Sequence, residues 1–224
     1  MPIYKSQHPH LDIPSDITTW QWLFDSEHSP LRNNPASEVQ GFTNAATKES
    51  LSFFQIRDHA ISLSNVLVQD YGLKAGEVVS LFSSNNVWYP VAMHATARVG
   101  GIVSGASPAY NVEEMTYALK VATAKFLFTV PGSMEIAAQA AKNAGIPQSN
   151  VFLLEGKVEG FTTIKELIAR GEKIQTVPYF KVPAGKNNHD VCGFLSFSSG
   201  TTGLPKAVRR NSPPPLQAKS LTRP

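Results

Sequence analysis

Cysteine is nearly absent from this sequence, since only Cys192 occurs among its 224 residues. A single cysteine excludes an intramolecular disulfide and is typical of proteins in a reducing compartment. Two kinds of hydrophobic segment are also missing. Residues 1–14 contain no apolar stretch of the kind that a secretory signal needs, and the most apolar long window, residues 87–106, is interrupted by a proline, a histidine and an arginine. We therefore expect a cytoplasmic protein without a membrane span.

Acidic residues are absent from the last eighteen positions, 207–224, which hold four basic residues. The formal charge of +3 therefore comes from this end of the chain, because the remaining residues carry 16 basic and 17 acidic side chains. Four scattered positive charges do not form the clustered footprint that binds a phosphate backbone. We predict no nucleic-acid partner.

Apolar, β-rich runs alternate with segments of helical periodicity from residue 49 onward. The runs lie at 77–84, 102–107, 125–130, 151–156 and 190–197. Strands that alternate with helices of this length are typical of βαβ units, in which helices cover both faces of a parallel sheet. The pattern predicts an α/β fold with a mostly parallel sheet and flanking helices.

Helix termini are marked in the sequence by residues that satisfy free backbone groups. Ser52 and Gln55 have the spacing of a capping box, and Asn111 precedes a segment with two glutamates in its first turn. We predict Ser133 as the cap of an alanine-rich helix and Gly145 as its end.

Composition divides the chain into three parts. Residues 1–48 are rich in proline, serine, asparagine and histidine, and we predict an extended entry segment there with at most one helix. Residues 49–208 form the predicted partial α/β domain. Residues 209–224 are basic and polar with three consecutive prolines, and we predict a disordered tail.

A loop rich in serine, threonine and glycine follows the last predicted strand, in the stretch FLSFSSGTTGLPK of residues 194–206. Glycines let successive N–H groups converge on an anion, hydroxyls add donors, and a lysine adds a full positive charge. The plainer alternative is a polar surface loop, but entry from an apolar strand and exit through Pro-Lys favour phosphate binding. The candidate phosphate ligands are Ser198, Ser199, Gly200, Thr201, Thr202, Gly203 and Lys206.

Three common phosphate or nucleophile motifs do not fit the sequence. A Walker loop requires glycine directly before its lysine, whereas Pro205 precedes Lys206. The segment 100–105 lacks the glycine spacing of a dinucleotide-binding fingerprint. The stretch GASPA has Ala109 where a hydrolase elbow requires its last glycine.

The stretch SFSSGTTGLPKAV resembles the signature loop of the AMP-forming acyl-CoA synthetases, a superfamily of adenylate-forming ligases. The segment from Gly72 to Thr129, which includes Ser107-Pro108-Ala109-Tyr110 and two glutamates, is similar to the corresponding family region. The resemblance is nearest to the 4-coumarate–CoA-ligase-like branch as found in fungi. It covers about residues 11–208, less than half of a complete family member.

The resemblance implies that the loop residues and Lys206 hold the phosphates of ATP, and that Thr201 and Thr202 are candidate ligands of Mg²⁺. The family joins a carboxylic acid to coenzyme A through an acyl-adenylate, with release of pyrophosphate and then AMP. The family's remaining length supplies the adenine and coenzyme A sites and a catalytic lysine. We therefore assign no catalytic residue within this chain and expect it to be inactive by itself.

Two alternatives to a truncated ligase stay open from the sequence. One is a non-catalytic nucleotide-binding or regulatory module, with a small-molecule nucleotide and an intact ligase as its partners. The other is a non-functional product of splicing or gene prediction, suggested by the abrupt change after Val208. A full-length relative could be peroxisomal, but the final residues Thr-Arg-Pro are not a peroxisomal signal.

Overall fold

The computed structural model describes residues 14–27, 29–34, 39–198 and 206–211. Their nine strands are β1 (Gly41–Thr43), β2 (Ser50–Ser52), β3 (Val78–Phe82), β4 (Ile102–Ala106), β5 (Ala124–Thr129), β6 (Val151–Leu153), β7 (Thr162–Thr163), β8 (Cys192–Ser198) and β9 (Lys206–Asn211). Their α-helices are α1 (Pro30–Asn33), α2 (Phe53–Gln69), α3 (Tyr89–Arg98), α4 (Val112–Ala122), α5 (Met134–Ala144) and α6 (Ile164–Gly171).

Seven of these strands form one sheet in the order β7-β6-β5-β3-β4-β8-β9. All neighbours in it are parallel except β8 and β9, which are antiparallel. Helices pack on both faces of the sheet and bury two hydrophobic clusters, one under α2, α3 and α6 and the other under α4 and α5. The prediction of an α/β fold with a mostly parallel sheet is confirmed.

The capping predictions are confirmed at two helices and wrong at a third. The Ser52 and Asn111 side chains accept hydrogen bonds from the backbone N–H groups of Gln55 and Glu114, and both helices have complete capping boxes. Ser133 makes no capping hydrogen bond with its side chain, because the 3₁₀ turn Pro131–Ser133 leads directly into α5. Gly145 ends α5 with φ of 78°, a conformation that glycine adopts without steric cost.

The amino-terminal segment packs against the main body of the protein. A short π-helical turn covers Gln21–Asp25, with Trp20 directly before it and Phe24 within it. The side chains of Trp20 and Phe24 are 2% and 4% exposed and belong to the hydrophobic cluster under α2 and α3. Strand β1 pairs with β2, so this hairpin crosses the predicted boundary at residue 48. The division into three domains remains a prediction.

Strand β9 reaches into the predicted tail. Residues 209–211, which the sequence assigned to a disordered segment, form the end of β9 because their backbone pairs with β8. The rest of that segment, 212–224, lies outside the described residues.

In the part of the chain that the structure covers, no helix combines the length and the hydropathy needed to cross a membrane.

A buried histidine makes the stability of this fold depend on pH. His94 lies on α3 with its ring edge-to-face against Phe24 at 5.1 Å, and burial lowers its pKa from 6.5 to about 4. Between these values the unfolded chain binds a proton that the folded chain does not. The contribution of His94 to the free energy of unfolding is therefore complete above pH 6.5. It is lost as the pH falls toward 4, by about 3 kcal/mol in total.

We expect His94→Gln to show a smaller loss of stability on acidification than the unmutated chain. Urea unfolding at about pH 7.5 and about pH 5 gives, for each protein, the difference in the free energy of unfolding between the two pH values. A cost of the substitution that does not depend on pH cancels in this difference. His189→Gln, at an exposed position, is the matched control and should keep the original pH dependence. Identical pH dependence in His94→Gln and the unmutated chain would contradict the prediction.

Candidate functional site

The carboxyl ends of the parallel strands β3 to β8 meet at one edge of the sheet. Ligands of open α/β sheets bind in the crevice at this edge. Strand β8 ends there at Ser198, the first of the predicted phosphate ligands. The predicted site therefore begins at the edge where the fold favours ligand binding.

Strand pairing brings together the two ends of the predicted phosphate loop. Ser198, the last residue of β8, is in register with Lys206, the first residue of β9. The Lys206 side chain is exposed to solvent. The other predicted ligands lie between these two residues in the chain and are outside the described residues: Ser199, Gly200, Thr201, Thr202 and Gly203.

A cleft of about 390 Å³ opens beside the ends of β4 and β8. We call it the edge cleft; its walls include Tyr89, Met93, Ser107, Tyr110, Phe194 and Phe197. The lining residues of the edge cleft that lie within the described ranges are all uncharged. The exposed Lys206 on the neighbouring strand can therefore supply positive charge next to a neutral cavity.

Two tyrosines bring phenol groups to the edge cleft. A Cβ atom on Gly105 would lie 3.3 Å from the Tyr89 hydroxyl, so the glycine leaves room for this hydroxyl near the end of β4. Burial raises the pKa of Tyr89. Burial also raises the pKa of Tyr110, and the negative charge of Glu114 adds to the effect. Both phenols remain protonated near neutral pH and can donate hydrogen bonds.

The start of helix α4 fixes the segment that carries Tyr110. The backbone N–H of Asn111 donates to the Glu114 carboxylate at 3.0 Å, and the backbone N–H of Glu114 donates to Asn111 Oδ1 at 2.9 Å. Just before it, the backbone N–H of Ala109 donates to Ser107 Oγ at 3.3 Å. Glu114 therefore acts in local structure, as the partner of Asn111 in the capping box of α4.

For Tyr89 and Met93 the sequence favours a role in the core or an interface, with a place in a substrate cleft as the less favoured alternative. Both lie against the core cluster but also line the edge cleft. Gly105 is the sequence feature that points to the cleft, because it leaves room near the end of β4 for the Tyr89 hydroxyl. A glycine in an apolar strand can mark such a close approach.

The described residues contain no group of three or more histidine, cysteine, aspartate or glutamate side chains that could hold a metal ion. The predicted Mg²⁺ ligands, Thr201 and Thr202, are not among the residues described. Their assignment remains a prediction.

Comparison with known proteins identifies similar sequences and folds. A family described as AMP-binding enzyme matches residues 32–211. An acyl-CoA ligase of Aspergillus niger is 30% identical over 205 residues, which cover 88% of this chain and 36% of the ligase. A 4-coumarate–CoA ligase-like protein of Arabidopsis thaliana is 26% identical over 206 residues, covering 92% of this chain and 35% of that protein.

The fold is also similar to that of solved structures. An anthranilate CoA ligase in complex with anthranoyl-AMP superimposes with a TM-score of 0.71 at 21% identity, covering 89% of this chain and 36% of that enzyme. The chain thus spans about a third of the length of the relatives that it matches.

Proposed function

Because this chain belongs to the AMP-binding enzyme family, we propose that it carries the phosphate-binding part of an ATP-dependent acyl- or aryl-CoA ligase. The complete reaction joins a carboxylic acid to coenzyme A. The acid's carboxylate oxygen attacks the α-phosphorus of ATP and pyrophosphate leaves. The coenzyme A thiol then attacks the acyl carbon of the adenylate, and AMP leaves. We propose the cytoplasm as the location of this activity.

The pairing of Ser198 with Lys206 is the observation that carries this proposal. It supports a loop anchored at both ends at the edge of the sheet where α/β proteins bind ligands. We propose that residues 198–203 donate hydrogen bonds to the phosphates and that the Lys206 ammonium contributes charge. Preorganised donors of this kind stabilise the negative charge that develops on a leaving pyrophosphate.

The groups assigned to Mg²⁺ fit a supporting role. Threonine hydroxyls are oxygen ligands, which Mg²⁺ prefers, and the metal commonly binds through a few protein oxygens together with substrate phosphates and water. We propose that Thr201 and Thr202 hold Mg²⁺ in this way. When bound, the metal would neutralise phosphate charge.

We expect Lys206→Ala to weaken ATP binding by about tenfold or more. A charge-assisted hydrogen bond to phosphate contributes about 1.5–3 kcal/mol, and about 1.4 kcal/mol corresponds to a factor of ten. Isothermal titration of the chain with ATP and Mg²⁺ measures the dissociation constant. The matched control is Lys125→Ala, because Lys125 is an exposed lysine near the amino end of β5, at the opposite edge of the same sheet. Equal affinity of Lys206→Ala and the unmutated chain would contradict the assigned role.

ATP–pyrophosphate exchange separates a phosphate-binding part from a complete ligase. With a panel of aryl and acyl acids, we expect ATP binding but no exchange by the 224-residue chain. Exchange would overturn the proposal of inactivity. Absence of ATP binding in the folded chain would overturn the proposed phosphate site.

A further inference from the structure

A second cleft opens at the carboxyl edge of the sheet, between the β1–β2 hairpin and the segment that joins β3 to α3. We call it the hairpin cleft. Its volume is about 450 Å³, a size that suits a small organic molecule. Its walls include Phe42, Asn44, Asn85, Asn86, Tyr89 and Pro90.

None of the described residues that line the hairpin cleft is charged. A phosphate or carboxylate placed there would lose water without gaining an ion pair, at a large cost in free energy. The lining therefore favours a neutral ligand. This distinguishes the hairpin cleft from the candidate phosphate site, where Lys206 supplies a positive charge.

Aromatic rings form part of the cleft wall. Phe42 is 45% exposed, and among the described residues it is one of three large hydrophobic side chains with such exposure. Its ring lies 5.6 Å from the ring of Phe53, which supports it from the start of α2. Tyr89 contributes a second, partly buried ring. An exposed but supported aromatic surface is suited to pack against the ring of a ligand.

The three asparagines of the cleft differ in how many hydrogen bonds their side chains already make within the protein. Asn44 Oδ1 accepts hydrogen bonds from the backbone N–H groups of Ala46 at 2.9 Å and Thr47 at 3.0 Å, which orients the amide. Its Nδ2 has no hydrogen-bond partner among the described residues. The Asn86 side chain makes hydrogen bonds through both of its polar atoms: Oδ1 accepts from the Trp88 backbone N–H, and Nδ2 donates to the Glu155 carboxylate. Among the residues that the structure describes, none makes a hydrogen bond to the Asn85 side chain, which is exposed. The free amide groups of Asn44 and Asn85 can therefore bind a carbonyl or hydroxyl group of a ligand.

From this combination we propose that the hairpin cleft binds a neutral aromatic molecule that carries a hydrogen-bonding carbonyl or hydroxyl group, with its ring against Phe42 and its polar group at Asn85. The site does not depend on the proposed ligase function. Tyr89 also lines the edge cleft, so a ligand in the hairpin cleft contacts a wall that the two cavities share.

Benzamide is a suitable probe because it combines a neutral ring with an amide. We expect titration of the ¹⁵N-labelled chain with benzamide to shift the amide resonances of Phe42, Asn44 and Asn85, with millimolar affinity. Benzoate, which has a similar shape but a negative charge, should bind several-fold more weakly. Cyclohexanecarboxamide, which keeps the amide and lacks the aromatic ring, should also bind more weakly.

Two substitutions test the ring contact and the polar contact separately. Phe42→Ala should weaken benzamide binding about five- to tenfold, and Asn85→Ala about fivefold. Val121→Ala is the matched control, since Val121 is 43% exposed on α4 and lies away from the cleft. The affinity of Val121→Ala for benzamide should equal that of the unmutated chain. Because no described residue is hydrogen-bonded to the Asn85 side chain, Asn85→Ala tests the site even if Phe42→Ala disturbs the hairpin.

The proposal is overturned if benzamide shifts no resonance of the cleft, if it binds no better than benzoate, or if Asn85→Ala binds it with unchanged affinity. Titration of the same samples with ATP keeps this result separate from the phosphate site. If ATP binds and benzamide does not, only the hairpin-cleft proposal fails. If benzamide binds and ATP does not, only the phosphate-site proposal fails.

Discussion

Replacing Gly171 with alanine is expected to lower the free energy of unfolding by about 3 kcal/mol. Gly171 is the last residue of α6, and a Cβ atom built on it would lie 1.9 Å from the backbone carbonyl oxygen of Ser62 on α2. That oxygen belongs to a helix backbone and cannot rotate away as a side chain would. The two helices must separate, and overpacking of this kind costs about 1–3 kcal/mol, occasionally more.

Two hydrogen bonds join Asn65 of α2 to the end of α6 and to the segment that follows it, and the displacement would strain them. The Asn65 side-chain amide donates to the Gly171 carbonyl at 3.3 Å and its Oδ1 accepts from the Val177 backbone N–H at 3.0 Å. Denaturant unfolding of Gly171→Ala measures the loss. Gly132→Ala is the control because a Cβ atom at Gly132 meets nothing within 4 Å, and it should leave stability nearly unchanged. Similar stability of the two variants would refute the argument from close approach.

Replacing Phe128 with alanine is expected to cost about 3–5 kcal/mol, the usual range for deletion of a buried phenylalanine ring. Phe128 lies in β5, next to the central strand β3, and is fully buried. Its ring is 5.0 Å from the ring of Phe152 on β6, so the substitution removes an aromatic pair and leaves a cavity beneath the helices. The cost includes both lost burial and the unfilled volume.

Two further variants determine whether the volume of the side chain is responsible. Phe128→Leu keeps most of the apolar volume and should cost clearly less than Phe128→Ala. Val121→Ala removes an exposed side chain and should change the free energy of unfolding by no more than about 0.5 kcal/mol. A loss below about 1 kcal/mol for Phe128→Ala would show that the core rearranges to fill the space.

Family membership could be predicted from the sequence because the signature loop is a local motif. The resemblance stated for SFSSGTTGLPKAV is confirmed by the family match over residues 32–211 and by similarity to CoA ligases. Assignment of individual residues to the phosphates and to Mg²⁺ remains a prediction.

The sequence by itself determined the elements whose causes are local. The capping boxes at Ser52 and Asn111 lie within four residues of chain, so the side chain and the backbone group that it satisfies meet whenever the helix forms. Alternation of apolar runs with helical periodicity likewise specified a parallel α/β fold. Ser133 shows the limit of this reasoning, since a 3₁₀ turn replaced the expected cap.

Only the tertiary structure decided which distant residues meet. Strand order brought β8 next to β4, and thereby placed Tyr89 and Phe194 in one cleft. Pairing of the β1–β2 hairpin placed Phe42 near the segment after β3, although more than forty residues separate them. The approach of Gly171 to Ser62 has the same origin. These contacts depend on packing between elements far apart in the chain, and local sequence patterns carry no information on which elements become neighbours.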